Sequence, residues 1–182
     1  MSDVFEVLKQ DHNDLEDMLA RLTASGPQGT EHINLAEKLV IEESKHEAAE
    51  EMYLWPAVRQ YVPGGDQLTN EALRQEHEGK QVLDQLRKTA PVEGLFEELI
   101  HKFARAGREH IAFEEEHVWP KLRLTLPLAE QKALGRKIQE AKDKGPTRPH
   151  PHTADSPAAL KTLGAAAAQV DKARDAATDR RR

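Results

Sequence analysis

The 182-residue chain contains no cysteine. That excludes disulfides, iron–sulfur clusters, thiolate zinc sites and covalent attachment of a c-type haem. No run of about 18 apolar residues exists, so no membrane span and no membrane partner are expected. The opening Met1-Ser2-Asp3-Val4-Phe5-Glu6 lacks the basic and apolar regions of a secretory signal, and the expected location is cytoplasmic. Apolar residues are scarce, at 38%. The shortfall is concentrated near the C-terminus, so it describes a tail more than a weak core. Basic residues are scarce in one part only: residues 1–143 hold 18 Lys and Arg against 28 Asp and Glu, whereas residues 144–182 hold 8 against 4. An acidic body argues against nucleic-acid binding by the core, while the partner of the basic tail is left open.

Period-two alternation is also missing, and what replaces it is helix after helix. Asp3 and Glu6 stand at capping-box spacing. Phe5, Leu8, His12, Leu15, Leu19 and Leu22 follow as one stripe. A second segment runs over 30–61, with Pro56 expected to kink its last turns. After the turn Val62-Pro63-Gly64-Gly65-Asp66, a third runs over 67–88 and a fourth over 91–123. A short fifth helix covers 128–142. Four long helices with short connections predict an all-α, up-down-up-down four-helix bundle over residues 1–143. Residues 144–182 read as an extended linker, Lys144 to His152, followed by a flexible Ala/Pro-rich tail that is disordered or marginally helical.

The bundle carries one motif twice. His46-Glu47-Ala48-Ala49-Glu50 with Trp55-Pro56 recurs as His110-Ile111-Ala112-Phe113-Glu114 with Trp119-Pro120, 64 residues later. Leu8-Lys9-Gln10-Asp11-His12 recurs as Leu73-Arg74-Gln75-Glu76-His77, 65 residues later. A histidine and a glutamate four apart on a helix share a face, about 6 Å along the axis. His12 and His110 sit within apolar stripes, where a bundle otherwise wants leucine. Four imidazoles and two carboxylates at one level are costly to bury without a partner, and bound cations remove that cost. Imidazole with carboxylate is the ligand set of iron, manganese and zinc. Six ligands in pseudo-twofold order suit two ions bridged by two carboxylates. The expected metal ligands are His12, His46, Glu50, His77, His110 and Glu114.

Taken singly, a His-x-x-x-Glu pair is more often a solvated ion pair, and a lone core histidine more often a hydrogen-bonded one; the ordered repeat outweighs both readings. The rival Glu-x-x-His string of ferritin-like bundles fits Glu43 to His46 and Glu114 to His117. Those two matches do not superpose under the repeat, since Gly107 stands opposite Glu43. Glu47 is a further candidate ligand without symmetric support. His117 and Tyr53 are expected to pack near the site as polar core residues. His101 is expected to face solvent, as are Asp11 and Glu76.

These residues resemble the hemerythrin-like proteins, the HHE cation-binding domains. The resemblance covers residues 1–143 and rests on the order His12, His46 with Glu50, His77, His110 with Glu114, and on the aromatic-Pro endings. It implies a non-haem di-iron centre, two iron ions bridged by both glutamates and by an oxo or hydroxo group, with manganese or zinc as lesser alternatives. Oxygen-carrying hemerythrins place another histidine where Gln81 stands here, and use five histidines and an aspartate. Fewer imidazoles weaken reversible oxygen carriage and suit reaction with dioxygen, peroxide or nitric oxide, including peroxide decomposition. The second expectation is an iron-responsive sensor or iron-binding protein without turnover, and the third a metal-free helical interaction module.

Overall fold

The structure, a computed structural model, describes residues 2–24, 29–91, 94–151 and 165–178. The capping box forms as written: Asp3 N–H donates to Glu6 Oε2 at 3.0 Å, and Glu6 N–H to Asp3 Oδ1 at 2.9 Å. It opens α1, Val4–Ala24. The second rod is α2, Gly29–Ala49, continued through a π turn at Glu50–Leu54 into α3, Trp55–Tyr61. Gly64, at φ 75°, turns the chain in the left-handed region that favours glycine. The third rod is α4, Gly65–Lys88. The fourth is α5, Gly94–Phe113, continued through a π turn at Glu114–Val118 into α6, Trp119–Thr125. Among the described residues there is no strand.

Each rod packs on its sequence neighbours, and α5 returns to α1, which closes the four-helix bundle. The fifth helix is α7, Leu128–Lys144, longer by two residues than the sequence suggests; it lies in the outer groove between α1 and α2. Gly135 permits its approach: a Cβ there would stand 2.8 Å from the Asp3 carbonyl carbon and 2.9 Å from the Val4 nitrogen. Within the tail, α8 spans Ala165–Thr178. The carboxylates of Asp171 and Asp175 are buried and face the segment that follows α7: Arg148 Nη2 donates to Asp175 at 2.8 Å, and Thr147 N–H to Asp171 at 3.2 Å. The expectations for residues 152–164 and 179–182 lie outside the described residues.

The core comes in two apolar clusters. One gathers Val4, Phe5, Leu8, Leu54, Trp55, Val58, Val118, Trp119 and Leu122. The other gathers Leu15, Leu19, Leu22, Leu39, Leu83, Leu86, Phe96, Ile100 and Phe103. Along α1 the boundary falls between Leu8 and Leu15, where His12 stands. A polar layer therefore crosses the bundle between two apolar plugs.

The two π turns set the phase of this layer. Proline has no N–H and clashes with the carbonyl four residues back, and Pro56 and Pro120 fall at matched places. At these places the helix widens: the Trp55 N–H bonds to the Glu50 carbonyl, and the Trp119 N–H to that of Glu114, each five residues back. His46 and Glu50 keep α-helical spacing and share a face. Beyond them the face shifts by one residue, so that Trp55 and Trp119 turn inward.

Candidate metal centre

Six side chains meet in the polar layer, all at most 5% exposed: His12 from α1, His46 from α2, Glu76 from α4, His110 from α5, and Glu50 and Glu114 from the first positions of the π turns. They form two groups whose ligand-type atoms lie within 4.8 Å of one another. His12, His46, Glu50 and Glu114 make the first; Glu50, Glu76 and His110 make the second. Glu50 belongs to both. Glu114 also reaches both sides, with Oε2 at 3.1 Å from His12 Nε2 and Oε1 at 3.4 Å from His110 Nε2.

The imidazoles are oriented alike. His12 Nδ1 lies 2.9 Å from Glu115 Oε1, His110 Nδ1 lies 3.1 Å from Gln75 Oε1, and His46 Nδ1 lies 3.5 Å from Asp11 Oδ2. Each Nδ1 thus faces an oxygen outside the layer, by a hydrogen bond in His12 and His110 and by a longer ion-pair contact in His46, and each Nε2 faces the centre. This is the outer-partner arrangement that fixes tautomer and ring angle in metal-ligating histidines. Trp119 stacks on the His12 ring, centroids 4.8 Å apart, and the Trp55 indole N–H donates to Glu76. The ligand edges are the unsatisfied ones. Nε2 of His12, His46 and His110, both oxygens of Glu50 and Glu114, and Oε2 of Glu76 are buried with no aligned hydrogen-bond partner.

Buried polar atoms are almost always paired, so this concentration at one point fits a cation. Electrostatics agrees. Burial, then the Glu114 and Glu76 carboxylates, holds Glu50 well above the usual carboxylate range. Burial does the same to Glu76, against the opposing pull of Lys80. Burial pushes His110 down to about 4, which leaves its imidazole neutral and able to ligate at neutral pH.

Five of the six expected ligands are in the cluster, and His77 is not. It is partly exposed on α4, with Nε2 2.8 Å from the Gln81 amide nitrogen. Glu76, expected outside, takes the inward place. The 64-residue offset that relates His46 to His110, Glu50 to Glu114 and Trp55 to Trp119 also relates His12 to Glu76. The buried positions Leu8, Leu15, Met18, Leu19 and Leu22 of α1 match Ala72, Gly79, Val82, Leu83 and Leu86 of α4 at the same offset. A one-residue slip on a helix turns a side chain by about 100°, so His77 at offset 65 leaves the layer. The unequal offsets were the signal available in the sequence.

Other expectations also change. His117 is exposed rather than packed at the site, because the π turn breaks the seven-residue phase that would align it with His110. Tyr53 is partly buried against the apolar cluster that holds Trp55. Asp11 does not face solvent: it hydrogen-bonds Lys142 of α7 and supports His46. Glu47 is buried, 4.0 Å from Lys80, and outside both ligand groups. His101 is exposed, as expected.

With this geometry established, known proteins supply a family. A family model described as the hemerythrin HHE cation binding domain matches residues 3–122. The chain belongs to the HHE cation-binding domain family. A crystal structure of a hemerythrin HHE cation binding domain-containing protein from Mycobacterium kansasii has the same fold, with a TM-score of 0.70 at 22% identity over 94% of this chain and 99% of that one. A Nostoc sp. protein described as a DNA nickase is 25% identical over 140 residues, which are 76% of this chain and 39% of that protein. The chain thus spans about two fifths of that relative's length. As a member of the family the chain is a metal-binding domain, and the buried His/Glu groups are its candidate centre. No described helix is long and apolar enough to cross a membrane.

Proposed function

We propose that the polar layer holds two non-haem iron ions and that the centre binds or reacts with dioxygen, peroxide or nitric oxide. The observation that carries this reading is the convergence of three Nε2 atoms and five carboxylate oxygens with no aligned hydrogen-bond partner. His12 and His46 would serve one ion, His110 and Glu76 the other, with Glu50 and Glu114 shared. Bound iron supplies the redox chemistry, which no side chain in the layer provides. The protein's own part is to set the ligands in advance. Glu115, Gln75 and Asp11 fix the imidazole faces, and the apolar clusters exclude bulk water on both sides. Three imidazoles rather than five leave fewer neutral nitrogen ligands, which favours reaction over reversible carriage. Iron-loaded protein mixed with peroxide or nitric oxide should change its near-ultraviolet absorbance and turn over peroxide. An unchanged spectrum with both would count against reactivity.

A second reading, an iron-responsive sensor, is favoured by one contact. Lys142 near the end of α7 hydrogen-bonds Asp11, which supports ligand His46, so the centre is linked to the element leading into the tail. Iron should then alter the rate at which a protease cuts beyond residue 144, and an iron-independent rate would sink this reading.

A further inference from the structure

The centre is not symmetric, and the departures from the repeat cluster at one place. Under the 64-residue offset, Glu76 stands for His12, Gly79 for Leu15, Lys80 for Glu16 and Glu47 for Ile111. On the α1 side, His12 Nδ1 lies 2.9 Å from Glu115 Oε1, and Lys9 Nζ holds the same carboxylate at 2.7 Å. The counterpart of Glu115 is Glu51, so the α4 side sets two buried carboxylates, Glu51 and Glu76, where an imidazole and a carboxylate would face each other. Two like charges buried together repel. Lys80 lies among them: its Nζ hydrogen-bonds Glu51 and stands 3.7 Å from Glu76 Oε2 and 4.0 Å from Glu47 Oε2.

The repeat does not impose this inward lysine, because Glu16 lies on the surface paired with Arg108 at 2.8 Å.

Resting on the two-ion reading above, we propose that Lys80 is a built-in counter-ion to the Glu47, Glu51 and Glu76 carboxylates, which limits the negative charge that the α4 side presents to its ion. Lys80 is a charge-compensating residue and touches no ion itself. Removing its charge leaves Glu47, Glu51 and Glu76 for a bound cation to neutralise, so cation binding tightens while the metal-free protein weakens.

The test is calorimetric titration of the full chain with zinc(II), which is redox-silent, together with melting curves with and without zinc. Lys80→Met should bind its second zinc ion on the order of tenfold more tightly than wild type, and zinc should raise its melting temperature by more than it raises that of wild type. The double variant Glu76→His with Lys80→Met removes one carboxylate together with the ammonium, so it keeps the net charge of wild type. It should fold and bind two zinc ions close to wild-type affinity, which keeps the test decisive if the single variant does not fold without metal. Equal or weaker second-ion binding in Lys80→Met, or loss of the second ion or of folding in the double variant, overturns the proposal. A wild-type chain that binds fewer than two zinc ions overturns the two-ion reading itself, and is seen before any variant is measured.

Discussion

At the scale of single residues the account turns on two neighbours, Glu76 and His77. One is buried with an orphan oxygen in the polar layer, and the other sits partly exposed against Gln81. Glu76→Ala should lose about one of two bound ions, whereas His77→Ala should keep both, as read by elemental analysis of the purified variants. Full occupancy in Glu76→Ala would restore His77 as the ligand. The buried carboxylates also make a pH prediction for metal-free protein. Glu47, Glu50 and Glu76 have folded-state values raised well above 4.5, first by burial. Such groups stabilise the fold while protonated, and that contribution is lost as pH rises through the raised values. His110 works in the other sense: its value is lowered from 6.5 to about 4, so its contribution is complete above 6.5. As pH rises through the raised carboxylate values, metal-free protein should therefore melt at lower temperature. Metal-loaded protein should not, because cations replace the protons. A flat profile without metal would contradict the electrostatics described.

At the scale of elements, the π turns and α7 position the layer. Gly135→Ala would press a Cβ into the Asp3–Val4 backbone, at a cost on the order of 1–3 kcal/mol, measurable by urea denaturation. Because Lys142 lies on the same helix and holds Asp11, the substitution should weaken metal retention as well as stability. Retention unchanged at reduced stability would uncouple α7 from the centre. The helices themselves were legible: the capping box, the stripes and the proline positions predict every rod to within a few residues. The phase within the rods was less so. A pattern of three and four aligns His117 with His110, but a π turn adds a residue that the pattern does not mark, and His117 turns outward. Similarly, motif matching pairs His12 with His77 by residue type, while packing pairs it with Glu76, because Leu19 and Leu22 on α1 correspond to Leu83 and Leu86 on α4. Lys80 reads in the sequence as an interruption of an apolar face; its carboxylate partners come from another helix and appear only once the rods are assembled.

For the molecule as a whole, a four-helix bundle with two apolar plugs encloses a layer that hydrophobic burial alone does not favour. Several buried carboxylates with one lysine among them are a net cost to the fold, and family membership together with the orphan ligand edges identifies cation binding as what offsets it. The most direct test is the iron content of the purified chain and of Glu50→Ala, the carboxylate common to both ligand groups. The account predicts two irons per wild-type chain and a fall to less than one in the variant. An iron-free wild type, or a Glu50→Ala chain with undiminished iron, would contradict it.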